Sequence, residues 1–315
     1  MQPNLNRAAL GRLVTGHELY NRVAEEISSV VIRRYSTSFA LASRLLAPPI
    51  RRQVENIYAL VRVADEIVDG EAAAAGLDSL AIARVLGDLE RDTETALHCG
   101  YSANLVVHAF ARSARAVGFG SELTRPFFES MRMDLVHTEH DEPSLATYIY
   151  GSAEVVGLMC LRSFLHGTGV AADDLARLEN GARRLGAAFQ KVNFLRDLSE
   201  DFEHLGRSYF PGLSVVTFGE ADKIRLLNDI DDDLRAAAAV LWLIPNTSRR
   251  AVLLAYGLFA ELARRLRVTP AAQLLRSRVR VPNSVKFRIA AGALSGRLPR
   301  NTPLIFSSPN PKAVS

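Results

Sequence analysis

Asp65 and Asp69, and again Asp197 and Asp201, stand four positions apart. On a helix that spacing puts both carboxylates of a pair on one face, one turn apart. Like charges so placed repel one another, so their setting matters. Asp65 lies among Ile57, Leu60, Val61, Ala64 and Val68, a segment apolar enough to be core. Asp197 follows Phe189, Val192, Phe194 and Leu195. Ionised carboxylates near a core need cations, and none of these neighbours is one. Arg62 shares the first face, three positions before Asp65. Gln190, Asn193, Asp197 and Asp201 form a second stripe at steps of three, four and four. Amides and carboxylates supply hard oxygen ligands, which suit magnesium or manganese and not zinc. The picture is two acidic faces holding a diphosphate between them through metal ions.

The elements that must position these faces read as helices. Apolar residues recur at three- and four-residue spacing in most segments, notably from Ile57 and from Leu185. The pattern predicts helices over 18–34, 49–69, 78–97, 102–116, 121–138, 143–166, 172–204, 219–243, 247–268 and 283–294. Strand alternation is confined to an ambiguous stretch from Arg278 to Val281. Turns fall at Pro48-Pro49, Gly70, Gly206 and Pro211-Gly212. No solenoid-period repeat and no linker divides the chain. One domain over 1–300 is therefore expected, with a disordered tail over 301–315.

Composition excludes several classes. Of 315 residues, 48% are hydrophobic, enough for a large core, and the net charge is only +4. No basic stripe suggests nucleic acid, while mild basicity suits an anionic substrate or an acidic membrane surface. Cys99 and Cys160 fit no metal spacing or disulfide framework and read as incidental thiols of a reducing cytosol. Met1 to Arg12 lacks the pattern of a secretory signal. The longest apolar run, Ala236 to Ile244, is about half of what a spanning helix needs. A cytoplasmic protein, at most peripheral to a membrane, is expected. Other clusters read as ordinary structure. Asp229 to Asp233 and Glu139 to Glu142 break periodicity as solvated helix ends do, and His137 and His140 have no partner at ligand spacing.

At the aspartates the sequence resembles a known family. Tyr58 through Gly70 (YALVRVADEIVDG) and Gln190 through Asp201 (QKVNFLRDLSED) are similar to the two aspartate motifs of squalene and phytoene synthases. Three further stretches agree in order: Ser36-Thr37-Ser38-Phe39, Tyr148 through Gly157 (YIYGSAEVVG), and Gly206 through Pro211 (GRSYFP). The resemblance covers roughly residues 30–295. It implies an all-α, single-domain isoprenoid synthase fold, with helices around a central cavity.

The resemblance also implies roles. Asp65, Asp69, Asn193, Asp197 and Asp201 would hold magnesium, and the four aspartates would carry catalysis. Arg62, Gln190 and Arg196 would contact diphosphate oxygens. Tyr35, Ser36, Ser38, Phe39 and Tyr58 would shape the flank of that site. Tyr148, Ala153, Val156, Gly157 and Gly186 would line the prenyl tunnel. Tyr256 matches a tyrosine near the substrate, and Arg278 with Lys286 a C-terminal basic group. On spacing alone, Phe39, Tyr148 and Tyr256 equally suit a core, Ser36 and Ser38 suit helix caps, and the two glycines suit close helix packing. Tyr35 stands where some relatives have histidine, Ser43 where some have an aromatic, and Glu154 where glycine is common.

The implied reaction is head-to-head condensation of two prenyl diphosphates through a cyclopropylcarbinyl diphosphate. Geranylgeranyl diphosphate is the expected substrate, without NADPH; farnesyl diphosphate, as in squalene or dehydrosqualene synthases, is the alternative. No Gly-rich dinucleotide motif is present in the sequence. A head-to-tail prenyltransferase or terpene cyclase would carry a more Asp-Asp-rich first motif. An inactive scaffold relative would have lost metal ligands that this chain retains.

Overall fold

The computed structural model describes residues 15–137, 139–205, 209–213 and 217–296, the side chains of 199–205 excepted. The expected tail over 301–315 and the residues Gly206, Arg207 and Ser208 lie outside the described residues.

Helix starts follow capping chemistry legible in the sequence. Thr15 and Glu18 form a reciprocal capping box at the head of α1 (Gly16–Tyr35). Ser36 accepts the backbone N–H of Phe39 at 3.1 Å and opens α2 (Thr37–Ser43). Pro48 and Pro49 occupy the first turn of α3 (Pro48–Val68), where a missing N–H costs nothing. After the short α4 (Glu71–Ala74), Asp78 caps α5 (Ser79–Cys99) and Asn104 caps α6 (Leu105–Val117). Next come α7 (Ser121–Val136) and α8 (Glu142–Ile149), the latter capped by Asp141. The remaining helices are α9 (Val155–Leu165), α10 (Ala172–Leu205), α11 (Glu220–Ala238), α12 (Asn246–Val268), α13 (Ala271–Leu274) and α14 (Asn283–Leu294). Among the described residues there is no β-strand, so the ambiguous stretch from Arg278 to Val281 is non-helical chain and not a strand.

Three expectations need correction. The segment 143–166 is not one α-helix: residues Tyr150–Glu154 form a π-turn between α8 and α9. The segment 219–243 leaves the α-helix at Ala238 and continues as a 3₁₀ turn, Leu241–Leu243, before Pro245. The acidic run from Asp229 is not a solvated helix end, because Asp233 lies fully buried in the body of α11. It accepts Arg184 at 2.8 Å and Lys191 at 2.8 Å, both from α10. Lys191 also reaches Asp229 at 2.5 Å, so the two acids fasten α11 to α10.

Two apolar clusters form the core. One joins α3, α5, α6, α7 and α9 around Phe110, Phe127 and Phe128. The other joins α8, α10, α11 and α12 around Leu195, Leu227 and Leu254. The helical run Glu142–Leu165 is long and apolar enough, by composition, to cross a membrane. Here it supplies buried residues to both clusters, as a core helix does.

Candidate active site

A cavity of about 980 Å³ draws its wall from both clusters. Helix α3 contributes Val54, Ile57, Tyr58, Val61, Arg62, Asp65 and Asp69, an unbroken face at steps of three and four. Helix α10 contributes Leu178, Leu185, Gly186, Phe189, Gln190, Asn193, Arg196 and Asp197. On both helices the lining changes from apolar to polar toward the C-terminal end. Helical rise puts Leu178 and Asp197 roughly 28 Å apart along α10. The cavity is thus polar at one end and greasy along the rest.

The sequence-predicted residues meet here with two exceptions. Tyr35, Ser36, Ser38, Phe39, Tyr148, Ala153, Val156, Gly157 and Arg278 join the α3 and α10 residues in the lining, as does Lys286. Asp201 falls in α10, but its side chain lies outside the described residues. Tyr256 is not part of the wall. It is fully buried in the second apolar cluster. The lining face of α12 passes through Val252, Ala255, Phe259 and Leu262, and Tyr256 lies just past its Val252 edge, about 40° around the helix.

Charge at the polar end is unbalanced in an informative way. Asp65 reaches solvent only in part, and enough protein surrounds it that burial pushes its carboxyl well above the usual range. Repulsion by Asp69 and Asp134 adds to the rise, and Arg62 only partly opposes it. Arg62 is itself disfavoured by burial, but the Glu66 and Asp65 carboxylates outweigh that and keep it charged. Its guanidinium bonds Glu66 and lies over the Tyr35 ring, 4.6 Å from the centroid. Its Nε is buried with no hydrogen-bond partner among the described residues. Burial raises the Tyr58 hydroxyl to about 12, so it is a neutral donor at the same wall.

Asp197 is placed differently. Arg196 Nε reaches its Oδ1 at 2.7 Å and Arg278 Nε the same oxygen at 2.8 Å. Both arginines therefore stand at the polar end of the cavity, paired with Asp197.

The donor set fits a hard divalent cation. Asp65, Asp69, Asn193 and Asp197 offer only oxygen ligands and share one wall. Among the described residues no group of three His, Cys, Asp or Glu could hold a metal. Magnesium needs few protein carboxylates when phosphates complete its shell.

The apolar walls are aromatic and small. Phe189 stacks on Phe259 at 3.8 Å between centroids, and Phe39 packs within 6.0 Å of Phe189 and 5.7 Å of Phe259. A Cβ on Gly157 would meet the Ala182 carbonyl oxygen at 2.5 Å, and one on Gly186 the Ala153 oxygen at 2.5 Å. The two glycines are reciprocal contacts that press α9 and the π-turn onto α10. Glu154 is absent from the cavity wall and bonds Arg183 at 2.6 Å, so this departure leaves the cavity lining unchanged. Cys160 lines the cavity with its thiol raised to about 12 by burial, a neutral wall group.

Asp134 was not among the residues the sequence pointed to. It is a buried carboxylate of α7 that lines the cavity and accepts the hydroxyls of Tyr148 at 2.8 Å and Tyr209 at 3.3 Å. The signal was the one that marks Asp65: an acid among apolar residues, here Met131, Met133 and Leu135.

Comparison with known proteins agrees with this geometry. A dehydrosqualene synthase crystal structure superposes with a TM-score of 0.73 at 21% identity, covering 88% of this chain and 98% of that one. A squalene synthase from Alicyclobacillus acidocaldarius gives a TM-score of 0.65 at 18% identity, covering 80% and 97%. The fold is that of these all-α synthases. In sequence, a 15-cis-phytoene synthase from Synechocystis is 31% identical over 218 residues, 67% of this chain and 62% of the relative. A phytoene synthase from Mycobacterium bovis is 26% identical over 291 residues, 86% of this chain and 91% of the relative. Against several plant phytoene synthases the match spans about half of the relative's length, 46% for one from Zea mays. The family model described as squalene/phytoene synthase matches residues 32–218, from the head of the cavity wall past both aspartate faces, and the chain belongs to that family.

Proposed function

We propose that this protein condenses two molecules of geranylgeranyl diphosphate head to head, as a phytoene synthase, through a cyclopropylcarbinyl diphosphate. The observation that carries the reading is one cavity with both aspartate faces at its polar end and an aromatic, aliphatic wall along the rest. Its volume of about 980 Å³ stands at the top of the range for small-molecule pockets, about 300–1,000 Å³. That room supports two prenyl chains rather than one.

Arg62, Arg196 and Arg278 would bind the diphosphate oxygens, where bidentate guanidinium geometry is favoured. Magnesium held by Asp65, Asp69, Asn193 and Asp197, with Asp201, would supply neutralisation of the leaving diphosphate. The apolar wall excludes water, which would quench a carbocation. Phe39, Phe189 and Phe259 offer π-faces to such a cation. No Ser/His or Cys/His nucleophile is needed, and the neutral Cys160 thiol is not one.

Farnesyl diphosphate is the second reading, favoured by the dehydrosqualene synthase among the structural neighbours. Peripheral membrane contact belongs to the same proposal. It is supported by exposed Phe287 and Leu294 on α14, the helix whose Lys286 lines the cavity.

Incubation with each labelled prenyl diphosphate and magnesium, with and without NADPH, followed by hydrocarbon analysis, tests the reading. A C40 product from geranylgeranyl diphosphate is expected. A C30 product alone would move the substrate to farnesyl diphosphate, and no hydrocarbon under any condition would refute prenyl coupling.

A further inference from the structure

Three polar side chains in the cavity wall are given no role in the diphosphate binding proposed above. Asp134 of α7, Tyr148 of α8 and Tyr209, which follows α10, come from three separate parts of the chain and meet in the interior. Asp134 is 8% exposed, Tyr148 3% and Tyr209 8%. Tyr148 donates its hydroxyl hydrogen to Asp134 Oδ2 at 2.8 Å, and Tyr209 donates to Oδ1 at 3.3 Å. One carboxylate therefore takes both phenol hydrogens.

The rings leave little freedom. Tyr209 stacks on Phe194 at 4.0 Å and 9°, and lies parallel to the His140 ring at 5.8 Å and 13°. Tyr148 stands 5.3 Å from Tyr209 and 5.9 Å from Phe194. All of these but His140 line the cavity.

A phenol has one hydrogen and two lone pairs. When the hydrogen is committed to a carboxylate, what the oxygen offers to anything else is a lone pair. A cavity that carries carbocations has a use for such oxygens, provided they cannot turn a hydrogen toward the cation. A preorganised dipole in a dry site is worth far more than the same group in water. Burial also drives the Tyr148 hydroxyl well above its ordinary value, with the charge of Asp134 next in effect, so it stays a neutral dipole.

We infer that Asp134 is a positioning residue, which fixes the Tyr148 and Tyr209 hydroxyls so that their oxygen lone pairs face the cationic intermediates. The inference rests on the proposed prenyl coupling, and wild-type turnover tests that reading first. If the wild type makes no hydrocarbon, prenyl coupling fails and the roles of these three residues fail with it. If it does, the variants below judge the positioning role alone.

A double-mutant cycle with labelled prenyl diphosphate decides it. Asp134→Asn should lower kcat by on the order of 10–100-fold with KM within about threefold. In a background with both Tyr148→Phe and Tyr209→Phe the same change should lower kcat by less than about threefold, because both oxygens it orients are gone. An equal loss in both backgrounds would mean that Asp134 acts independently of the two tyrosines and would overturn the inference. So would unchanged kcat in Asp134→Asn. Should that variant not fold, Tyr148→Phe and Tyr209→Phe, which keep the ring packing, test the same geometry. Lowered kcat at steady KM in both supports it, and wild-type kcat in either refutes it.

Discussion

Replacing Asp65 by Asn should make the metal-free protein more stable and the enzyme inactive. Burial and the neighbouring Asp69 hold the Asp65 carboxyl well above its ordinary range, so the folded chain resists its ionisation. A carboxylate whose folded pKa is raised contributes its stability below the unfolded value, about 3.9. That contribution is lost as pH rises through the folded value. At neutral pH the unfolded chain ionises this carboxyl freely and the folded chain resists it, a cost that Asn removes at nearly the same shape. Arg62 keeps Glu66 as a partner, so the substitution does not strand a guanidinium. Because Asp65 still reaches solvent in part, we set the gain at about 1–2 kcal/mol, toward the lower end of the cost of a buried unsatisfied polar group. Domains of 150–250 residues shift by about 2–4 °C per kcal/mol, and this longer chain shifts less. Thermal unfolding after chelator treatment should place the variant roughly 2–4 °C above the wild type at neutral pH. The gap should close as pH falls toward the unfolded carboxyl value. Adding magnesium with a non-reacting diphosphate analogue should raise the wild type more than the variant, since only the wild type keeps the full ligand set. A variant less stable than the wild type at neutral pH without metal would refute this account of the first aspartate face.

Other substitutions probe other parts of the wall. Gly186→Ala places a methyl 2.5 Å from the Ala153 carbonyl oxygen. It should cost about 1–3 kcal/mol as an overpacked contact, measured by denaturant unfolding. Arg62→Lys keeps the charge but loses the planar fork. Steady-state kinetics should show KM for the prenyl diphosphate raised by about tenfold, the effect of one charge-assisted bond. Alkylation at about pH 8, read by peptide mass, should modify exposed Cys99 and leave Cys160, whose thiol burial raises to about 12.

What the sequence made legible is what depends on residues close together along it. The faces of α3 and α10 follow from four-residue spacing and apolar neighbours, and all their described members line one cavity. Caps such as Asp78, Asn104 and Asp141 have the residue types that favour helix starts, and each accepts the first N–H groups of its helix. The failures share one cause, which is a partner distant in sequence. Asp233 looked like part of a solvated run because its partners Lys191 and Arg184 sit on another helix. Asp134 gave only a weak local signal, because the tyrosines that explain it lie on α8 and beyond α10. The π-turn at Tyr150–Glu154 reads as ordinary helix, and only the approach of Gly151 to the Pro126 carbonyl reveals why the chain is small there. Tyr256 falls just outside the lining stripe of α12, between Val252 and Phe259 along the chain, a distinction that spacing alone does not make.

The two aspartate faces are also unlike in a way that bears on how the site works. On α3, Asp65 is left to repel Asp69 with only partial relief from Arg62. On α10, Asp197 is already paired, with Arg196 beside it and Arg278 from the segment before α14. A cation entering beside Asp65 relieves the repulsion there, whereas one entering beside Asp197 must displace arginines. Displacement is costly only if the guanidiniums have nowhere to go. A diphosphate offers them oxygens of higher charge than a carboxylate, so metal and substrate can enter the second face together by exchanging partners. On the proposed function, then, the first face favours a cation in the absence of substrate, and the second favours it when diphosphate is present. Isothermal titration with magnesium alone should find binding that Asp65→Asn abolishes and that Asp197→Asn leaves largely intact. Equal loss in both variants would mean the faces act as one preformed site and would remove the distinction drawn here.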